Sequence, residues 1–387
     1  MKPASVVIVG AGVMGASVAY HLAARGWRDV LVLDRADRAG QGSTGAATGG
    51  FRAQFGTPIN IRLSLMAREK FLRFEDEIGT DPGYVPAGYL WLATSEPELD
   101  VLRAGLEVQS AEGLHEATEV GVEDVGRINP AVLCDDIVGG VFCPSDGFIA
   151  PFQVLNGYLA AAVRRGVGVE WSTEVTGLIR DGGGRIVSVE TSHGRIDTGA
   201  VVNAAGAWAA SLARSAGVTL PVTPLRRQVA TTVPCGVLPS GMPMTIFAGD
   251  GFHFRARDGR VLLLWPTPGV PDKPFDTNVD GEWIASVTRM ARRRVPVLRN
   301  IAVDASSSWA GLYEMSPDKH AILGRAPGCD NLYLINGSSG HGVMHAPALG
   351  ALLAELMSEG KFSSLDAAAL RPSRFAEGAP NPVSGLL

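Results

Sequence analysis

The chain has 387 residues, more than a single hydrophobic core of roughly 250–300 residues supports, so it holds one large domain or two intimate ones. With 46% hydrophobic and 19% charged residues it is rich in core-forming side chains, which excludes a disordered majority. Its 34 Lys and Arg against 39 Asp and Glu leave a net charge of −5, and that mild acidity argues against a nucleic-acid partner, which calls for a basic face.

The first element is Val6-Val7-Ile8-Val9, a continuous apolar run of the kind a strand buried on both faces shows. Gly10-Ala11-Gly12-Val13-Met14-Gly15 follows, and Ala16, Ala19, Tyr20, Leu22 and Ala23 then keep helical spacing until Gly26. A second apolar run, Val30–Leu33, ends at Asp34. The glycines differ in what they allow. Gly10 permits a tight turn, Gly12 lets the backbone approach a pyrophosphate, and Gly15 lets helix and strand pack closely. The free N–H groups at the helix start, with Val13 and Met14 among the expected contacts, face the phosphates. Asp34 stands where an acid accepts hydrogen bonds from a ribose. This is a dinucleotide-binding strand–helix–strand unit, and by itself it does not choose between NAD and FAD.

Next come Arg35 and the stretch Gly40-Gln41-Gly42-Ser43-Thr44-Gly45-Ala46-Ala47-Thr48-Gly49-Gly50-Phe51-Arg52. It offers many backbone donors, three hydroxyls and little bulk, which suits wrapping phosphates and a flat ring. A flexible linker is the bland alternative, but the helical Asn60–Ile78 segment resumes without a polar spacer. Tyr89–Leu92 reads as a strand and Leu99–Ala111 as a helix. Val201-Val202-Asn203-Ala204-Ala205-Gly206-Ala207-Trp208 is again a buried strand running into a glycine turn. Phe252-His253-Phe254 and Val261–Leu264 read as strands, with His253 turned to the face opposite both phenylalanines. Glu282–Arg294 reads as a helix whose Arg292-Arg293-Arg294 cluster is a solvated face. The last block holds Gly311-Leu312-Tyr313-Glu314-Met315-Ser316-Pro317-Asp318 and Leu332–Ile335. It closes with Gly337-Ser338-Ser339-Gly340-His341-Gly342-Val343-Met344 and a small-residue helix, Ala346–Leu356. That helix start supplies a second set of free N–H groups, suited to negative charge on a reduced ring. The segment after Pro372 is rich in Pro, Gly and Ser and is expected as a loose surface tail.

The four blocks Gly10–Asp34, Gly42–Arg52, Val201–Trp208 and Gly311–Gly350, in this order, resemble the FAD-dependent D-amino-acid-oxidase-like (DAO) superfamily. The likeness is to the branch of sarcosine oxidases and dye-linked proline dehydrogenase β-subunits. The resemblance implies FAD held at Gly10, Gly12, Val13, Met14, Gly15, Asp34, Arg35, Ser43, Thr44, Ala47, Thr48, Gly49 and Gly50. It adds Val175, after Gly168–Glu170, near the adenine, and Ala205, Gly206 and Trp208 near the flavin. Gly311, Gly337, Gly340, His341, Gly342, Val343 and Met344 complete the set. Gly311 stands where monomeric sarcosine oxidases carry the cysteine that bonds FAD, and no histidine lies near Ala46, so the resemblance implies non-covalent FAD. Arg52 matches the arginine that pairs with the substrate carboxylate in that branch, as a guanidinium fork can. His253 and His345 are the other substrate-side candidates, a plain structural role being the alternative for His253. Met344 replaces a lysine of several sarcosine oxidases. Leu312-Tyr313-Glu314 lacks the arginine of D-amino-acid and glycine oxidases. An apolar residue near Leu263 replaces the lysine that promotes reaction with oxygen, pointing toward a dehydrogenase. His341 and His345 are four apart, but the Glu of a zinc-protease helix is absent, so no metal site is expected.

The expected fold is α/β, α+β overall: a Rossmann-type FAD-binding domain of the glutathione-reductase-like kind plus an antiparallel-sheet substrate domain. The first is placed at 1–84, 150–218 and 305–372, the second at 85–149 and 219–304, with a tail at 373–387. The expected activity is oxidation of the C–N bond of an amino acid or related amine, sarcosine- or proline-like, to an imine by hydride transfer to flavin N5. Dioxygen or another electron acceptor, and possible partner subunits, complete the scheme. An FAD-binding non-catalytic subunit and an NAD(P)-dependent dehydrogenase are the competing readings. Cys134, Cys143, Cys235 and Cys329 show no metal or redox spacing and read as buried free thiols in a reducing compartment. With no transmembrane segment and no signal peptide read at the N-terminus, the expectation is a cytoplasmic protein.

Overall fold

The computed structural model describes residues 2–266 and 273–386. Ala4–Val9 is the central strand of an eight-stranded sheet, flanked in parallel by Val30–Leu33 and Gly194–Asn203. Gly168–Glu170 continues the sheet in parallel beyond Val30–Leu33, and Cys329–Asn336 does so beyond Gly194–Asn203. Ile322–Ala326 closes that edge antiparallel, and Val175–Arg180 and Ile186–Thr191 fold back on Gly194–Asn203 as a meander. The unbroken apolar run of the first strand is explained by its surroundings. Val6 and Ile8 enter one core, beneath the helices, while Val7 and Val9 enter a second on the opposite face.

Two helices lie side by side over this sheet, Val13–Ala24 and Gly342–Glu359, and both begin at glycine-rich turns. They approach so closely that Ser17 Oγ donates to Ala346 O at 2.8 Å, and a Cβ on Gly350 would lie 2.2 Å from Ser17 Oγ. The two helix starts, and the two turns before them, are thereby fixed at one end of the sheet.

The second eight-stranded sheet runs, edge to edge, Trp309–Met315, Thr223–Thr231, Arg260–Leu264, His253–Arg257, Met244–Phe247, Tyr89–Ala93, Gly139–Cys143 and Thr118–Val120. Its pairings are antiparallel except one: Met244–Phe247 runs parallel to Tyr89–Ala93. The sheet is thus antiparallel as expected, with this one parallel pairing as its departure. Between these two strands the chain passes through Gly168–Glu170, Val175–Arg180, Ile186–Thr191 and Gly194–Asn203 of the first sheet, and alternation along a strand carries no information on its direction. Trp309–Met315, expected with the cofactor segments, pairs instead with Thr223–Thr231, so the second sheet extends past residue 304. A short ladder, Gly50–Phe51 with Gly147–Phe148, ties the glycine-rich stretch to this sheet's side of the molecule.

Helices form close to their expected places: Glu96–Ala111, and Gly281–Arg294 capped by Asp280, whose Oδ1 accepts from Glu282 N at 2.9 Å. The Asn60–Ile78 segment is two helices, Pro58–Leu72 and Phe74–Ile78. Of the arginine cluster, Arg292 and Arg293 are exposed, but Arg294 pairs with Asp250 at 2.8 Å and sits over the Phe247 ring. The tail is not loose. Arg374 is 0% exposed and forms a two-pronged pair with Asp318, Nε–Oδ2 2.8 Å and Nη2–Oδ1 3.0 Å. Burial opposes the Asp318 charge, yet the Arg374 fork holds its carboxyl well below the usual range. Leu386 packs with Trp91, Leu99 and Met244. A tail poor in apolar residues reads as solvated, whereas one Arg and one Leu with partners elsewhere in the chain suffice to pin it. The four cysteines are unpaired; Cys143 and Cys329 are buried as expected, whereas Cys134 and Cys235 are partly exposed, and among the described residues no helix is long and apolar enough to cross a membrane.

Candidate active site

A cavity of about 1180 Å3 lies between the first sheet's glycine turns and one face of the second sheet. At its base Gly10 has φ 107, and a Cβ there would meet Ala204 O at 2.4 Å, so only glycine makes this turn. Ala11 N donates to Asp34 Oδ2 at 2.7 Å and Ala36 N to Oδ1 at 2.8 Å. Asp34 therefore braces the turn with both oxygens, in addition to lining the cavity. Thr44 Oγ1 accepts from Val13 N at 3.2 Å and Ser43 Oγ donates to Leu312 O at 2.6 Å. These two hydroxyls fasten the second glycine block to the first helix and to the second sheet.

The second sheet anchors that block from its other side. Arg255 donates to Thr48 O at 2.8 Å with its guanidinium over Phe148, and Trp309 Nε1 donates to Ala46 O at 2.9 Å. At the far end Arg35 lies 3.7 Å from the Trp208 ring centroid, and Phe275 stacks on the same ring. Asn203 holds the turn before Trp208 by accepting from Ala205 N and donating to Ala209 O.

Of the expected cofactor residues, Gly10, Gly12, Val13, Met14, Asp34, Arg35, Ser43, Thr44, Ala47, Thr48, Gly49 and Gly50 line the cavity. So do Val175, Ala205, Gly206, Trp208, Gly311, Gly340, His341, Gly342, Val343 and Met344. Gly15 and Gly337 stand behind the wall and act by packing. A Cβ on Gly15 would be 1.9 Å from Gly10 O, and one on Gly337 3.0 Å from Ser316 Cβ.

Sheet register decides the substrate side. Arg227 lies opposite Gly311, and Val229 opposite both Trp309 and Leu264. His253 lies opposite Leu264 and Ile246, and Met244 opposite Tyr89. Residues paired across strands share a face, so these side chains and Tyr313 form one floor, and all of them line the cavity except Trp309. His253 is on this floor with Phe252 and Phe254 behind it, as alternation requires. Burial pushes its imidazole down to about 4, despite the bond between Nδ1 and Gly251 O, so it is neutral at physiological pH. Leu263 points into the core behind the sheet, and it is Leu264 that lines the cavity.

Arg52 lines the cavity but is 4% exposed and already engaged. It donates to Gln54 O and to Leu386 O (3.1 Å), approaches His341 Nε2 at 3.4 Å, and covers the Phe55 ring at 3.9 Å. Burial lowers its pKa to about 10. Asp146 shapes this corner by accepting from Ala53 N at 2.7 Å and Gln54 N at 3.3 Å. His345 does not reach the cavity. It is buried against Phe55 and Ser64 Oγ (2.8 Å), and burial depresses its pKa to about 3. It shares a helix face with His341, but helix Pro58–Leu72 covers that face one turn on.

Glu314 stands in a segment marked in the sequence only by the arginine it lacks, and no spacing singles out its carboxylate. One carboxylate oxygen accepts from Ser338 N at 3.3 Å, while Oε2 and the buried Ser338 Oγ make no hydrogen bond among the described residues. Burial, only partly offset by the Ser338 N–H, raises Glu314 to about 7. Because its folded pKa lies above its unfolded one, the protonated form stabilises the fold. That contribution is complete below about pH 4.5 and is lost as the pH rises through about 7, on the order of 3 kcal/mol. Glu314→Gln is expected to match the parent apoprotein at pH 5 and exceed it in denaturant unfolding at pH 8. Identical pH dependence in the two proteins would remove this role.

Fold and cavity together define a dinucleotide-binding protein in which the glycine turns of the first sheet face one side of the second. The chain belongs to the DAO family of FAD-dependent oxidoreductases, whose model matches residues 5–356. FAD-dependent oxidoreductase domain-containing protein 1 of Bos taurus is 30% identical, the match spanning 96% of this chain and 84% of that one. Glycine oxidase of Geobacillus kaustophilus is 28% identical over 94% of this chain and 95% of its own. The crystal structure of L-proline dehydrogenase from P. horikoshii superposes with a TM-score of 0.89 at 28% identity, covering 98% of this chain and 100% of that one. The protein is thus an FAD-dependent enzyme. Its residues fit that group: glycines clear the backbone for phosphates, and the orphaned Glu314 and Ser338 oxygens are donors and acceptors awaiting a polar ring edge. A side chain at Gly311 would meet Ala46 Cβ at 2.7 Å, and the lining contains no cysteine.

Proposed function

We propose that this enzyme oxidises the C–N bond of a small primary or secondary amino acid or amine, sarcosine- or proline-like, to the imine. The observation that carries the reading is the floor itself: an arginine, a tyrosine and a neutral histidine set among Val229, Ile246, Leu264 and Met244, directly facing the cofactor channel. Such a floor holds a carboxylate by charge and leaves the remainder of a small substrate in apolar surroundings, where an unprotonated amine is favoured. Bound FAD supplies the two-electron acceptor, so the substrate loses a hydride from carbon and a proton from nitrogen, and the side chains need only bind and orient it. The names glycine oxidase and L-proline dehydrogenase borne by similar proteins support this class.

The missing side chain at Gly311 and the absence of cysteine from the lining support non-covalent FAD. Apolar Leu264 at the floor supports an acceptor other than dioxygen. The unpaired thiols support a reducing, cytoplasmic location. Anaerobic titration of the yellow holoenzyme with sarcosine, L-proline and glycine tests the reading. At least one of them is expected to bleach the flavin, with slow recovery in air. A flavoprotein that none of a broad amino-acid panel bleaches is a binding subunit, and a protein that takes up no FAD sinks the proposal altogether.

A further inference from the structure

We infer that Arg227, with the Tyr313 phenol beside it, is the anchor for the substrate carboxylate, the place that sequence resemblance gives to Arg52. The inference rests on the amine-oxidising reading and narrows it to substrates that carry a carboxylate.

Arg227 is half-buried, and its position in the ladder sends its side chain to the cavity face. It pairs with Gly311, whose missing Cβ points at Ala46 of the cofactor loop, and cross-strand partners share a face. Tyr313 is the diagonal neighbour on the next strand, its ring centroid 5.8 Å from the Arg227 guanidinium carbon. Around them Val229 and Leu264 provide no polar group for the guanidinium.

What separates Arg227 from the neighbouring arginines is the state of its fork. Arg226, on the opposite face, is committed to Asp276 Oδ2 at 3.2 Å and Asn278 O at 3.0 Å. Arg255 is committed to Thr48 O, and Arg52 to Gln54 O, Leu386 O and His341. Among the described residues Arg227 alone of these four makes neither a hydrogen bond nor an ion pair. Desolvation accordingly lowers its pKa, with only the Tyr313 hydroxyl acting in the other direction. A desolvated cation is costly until an anion meets it, and a guanidinium fork meets a carboxylate through two parallel hydrogen bonds. The cavity's glycine turn suited to phosphate lies on the other sheet, at Gly10–Gly15, at the start of helix Val13–Ala24. The remaining anion that enters here is the substrate's. Neutral His253 on the same floor adds no second cation against the amine.

The test uses FAD-loaded enzyme and two unreactive probes, tetrahydrofuran-2-carboxylate and its uncharged amide, with binding read from the change in the flavin's visible spectrum. The acid is expected to bind the parent at least about tenfold more tightly than the amide. Arg227→Met is expected to weaken the acid by about tenfold to a hundredfold and the amide far less, as the loss of a charged hydrogen-bond pair does. Arg227→Lys is expected to recover part of the loss, since it restores charge without the fork. Equal binding of acid and amide by the parent overturns the inference. So does acid affinity that is unchanged in Arg227→Met, or a loss of FAD affinity in that variant with the acid constant intact, which would give the arginine to the cofactor. Should Arg227→Met not fold, the comparison of the two probes on the parent and on Arg227→Lys decides. Neither probe reacts, so failure of amino acids to bleach the flavin would sink the proposed function without touching this result.

Discussion

Gly15→Ala is expected to purify with much less flavin than the parent. A Cβ at this position would lie 1.9 Å from Gly10 O and 3.1 Å from Gly10 C, backbone atoms that cannot rotate away. Helix Val13–Ala24 must then lift from strand Ala4–Val9, and the phosphate-facing N–H groups move with it. Nor is the helix free to slide, because Ser17 is wedged against Gly350 and bonded to Ala346 O on the neighbouring helix. Forcing an extra methyl into such a contact costs about 1–3 kcal/mol, and about 1.4 kcal/mol suffices for a tenfold loss of FAD affinity. The ratio of flavin to protein absorbance, with the unfolding midpoint of the apoprotein, measures both effects. Near-stoichiometric FAD in the variant would show that the turn does not depend on this close approach.

The second large effect is expected at Arg52, in stability more than in affinity. Arg52→Met removes the donor from two buried carbonyls, Gln54 O and Leu386 O, each left unsatisfied at about 1–3 kcal/mol. The methionine retains part of the packing over Phe55, so polar loss dominates. The fold is expected to weaken by about 2–5 kcal/mol and the chain end around Leu386 to become a site of proteolysis, while bound flavin persists. Thermal unfolding and limited proteolysis check this. A variant of unchanged stability whose apparent substrate constant alone rises would return the carboxylate to Arg52 and count against Arg227.

The contrast between these two residues shows how far the sequence reaches. Gly10, Gly12 and Gly15 were legible because their constraint is local: a positive φ, a bare backbone and a close helix approach are all expressed within a few residues. The strand before them and Asp34 after them supply the context that makes the motif specific. The second glycine block and the Gly337–Gly342 turn are legible on the same grounds. Even there, the structure assigns Ser43 and Thr44 to internal bonds that spacing does not reveal.

On the substrate side the readable signal is alternation, and alternation correctly turned His253 away from Phe252 and Phe254. It could not say which strand lies beside which, or that Met244–Phe247 runs parallel to Tyr89–Ala93. Arg227 appeared in the sequence as one of two adjacent arginines with nothing to distinguish them. Only the pairing of Thr223–Thr231 with Trp309–Met315 turns Arg226 outward to Asp276 and Arg227 toward the cavity. His345 shows the same limit on a helix, where spacing gave the face but not the neighbour that covers it.

The order of residues alone specifies the cofactor turn and, through four ordered glycine blocks, the family. These features need particular backbone conformations, and glycine at fixed spacing is their chemical requirement. Folding settles which cation is open to a ligand, which histidines face the cavity and where the segment around Leu386 is held. Those properties belong to contacts between distant segments: Arg52 is engaged because Leu386 comes back to meet it, and Arg227 stays open because its immediate floor neighbours, Val229 and Leu264, are apolar.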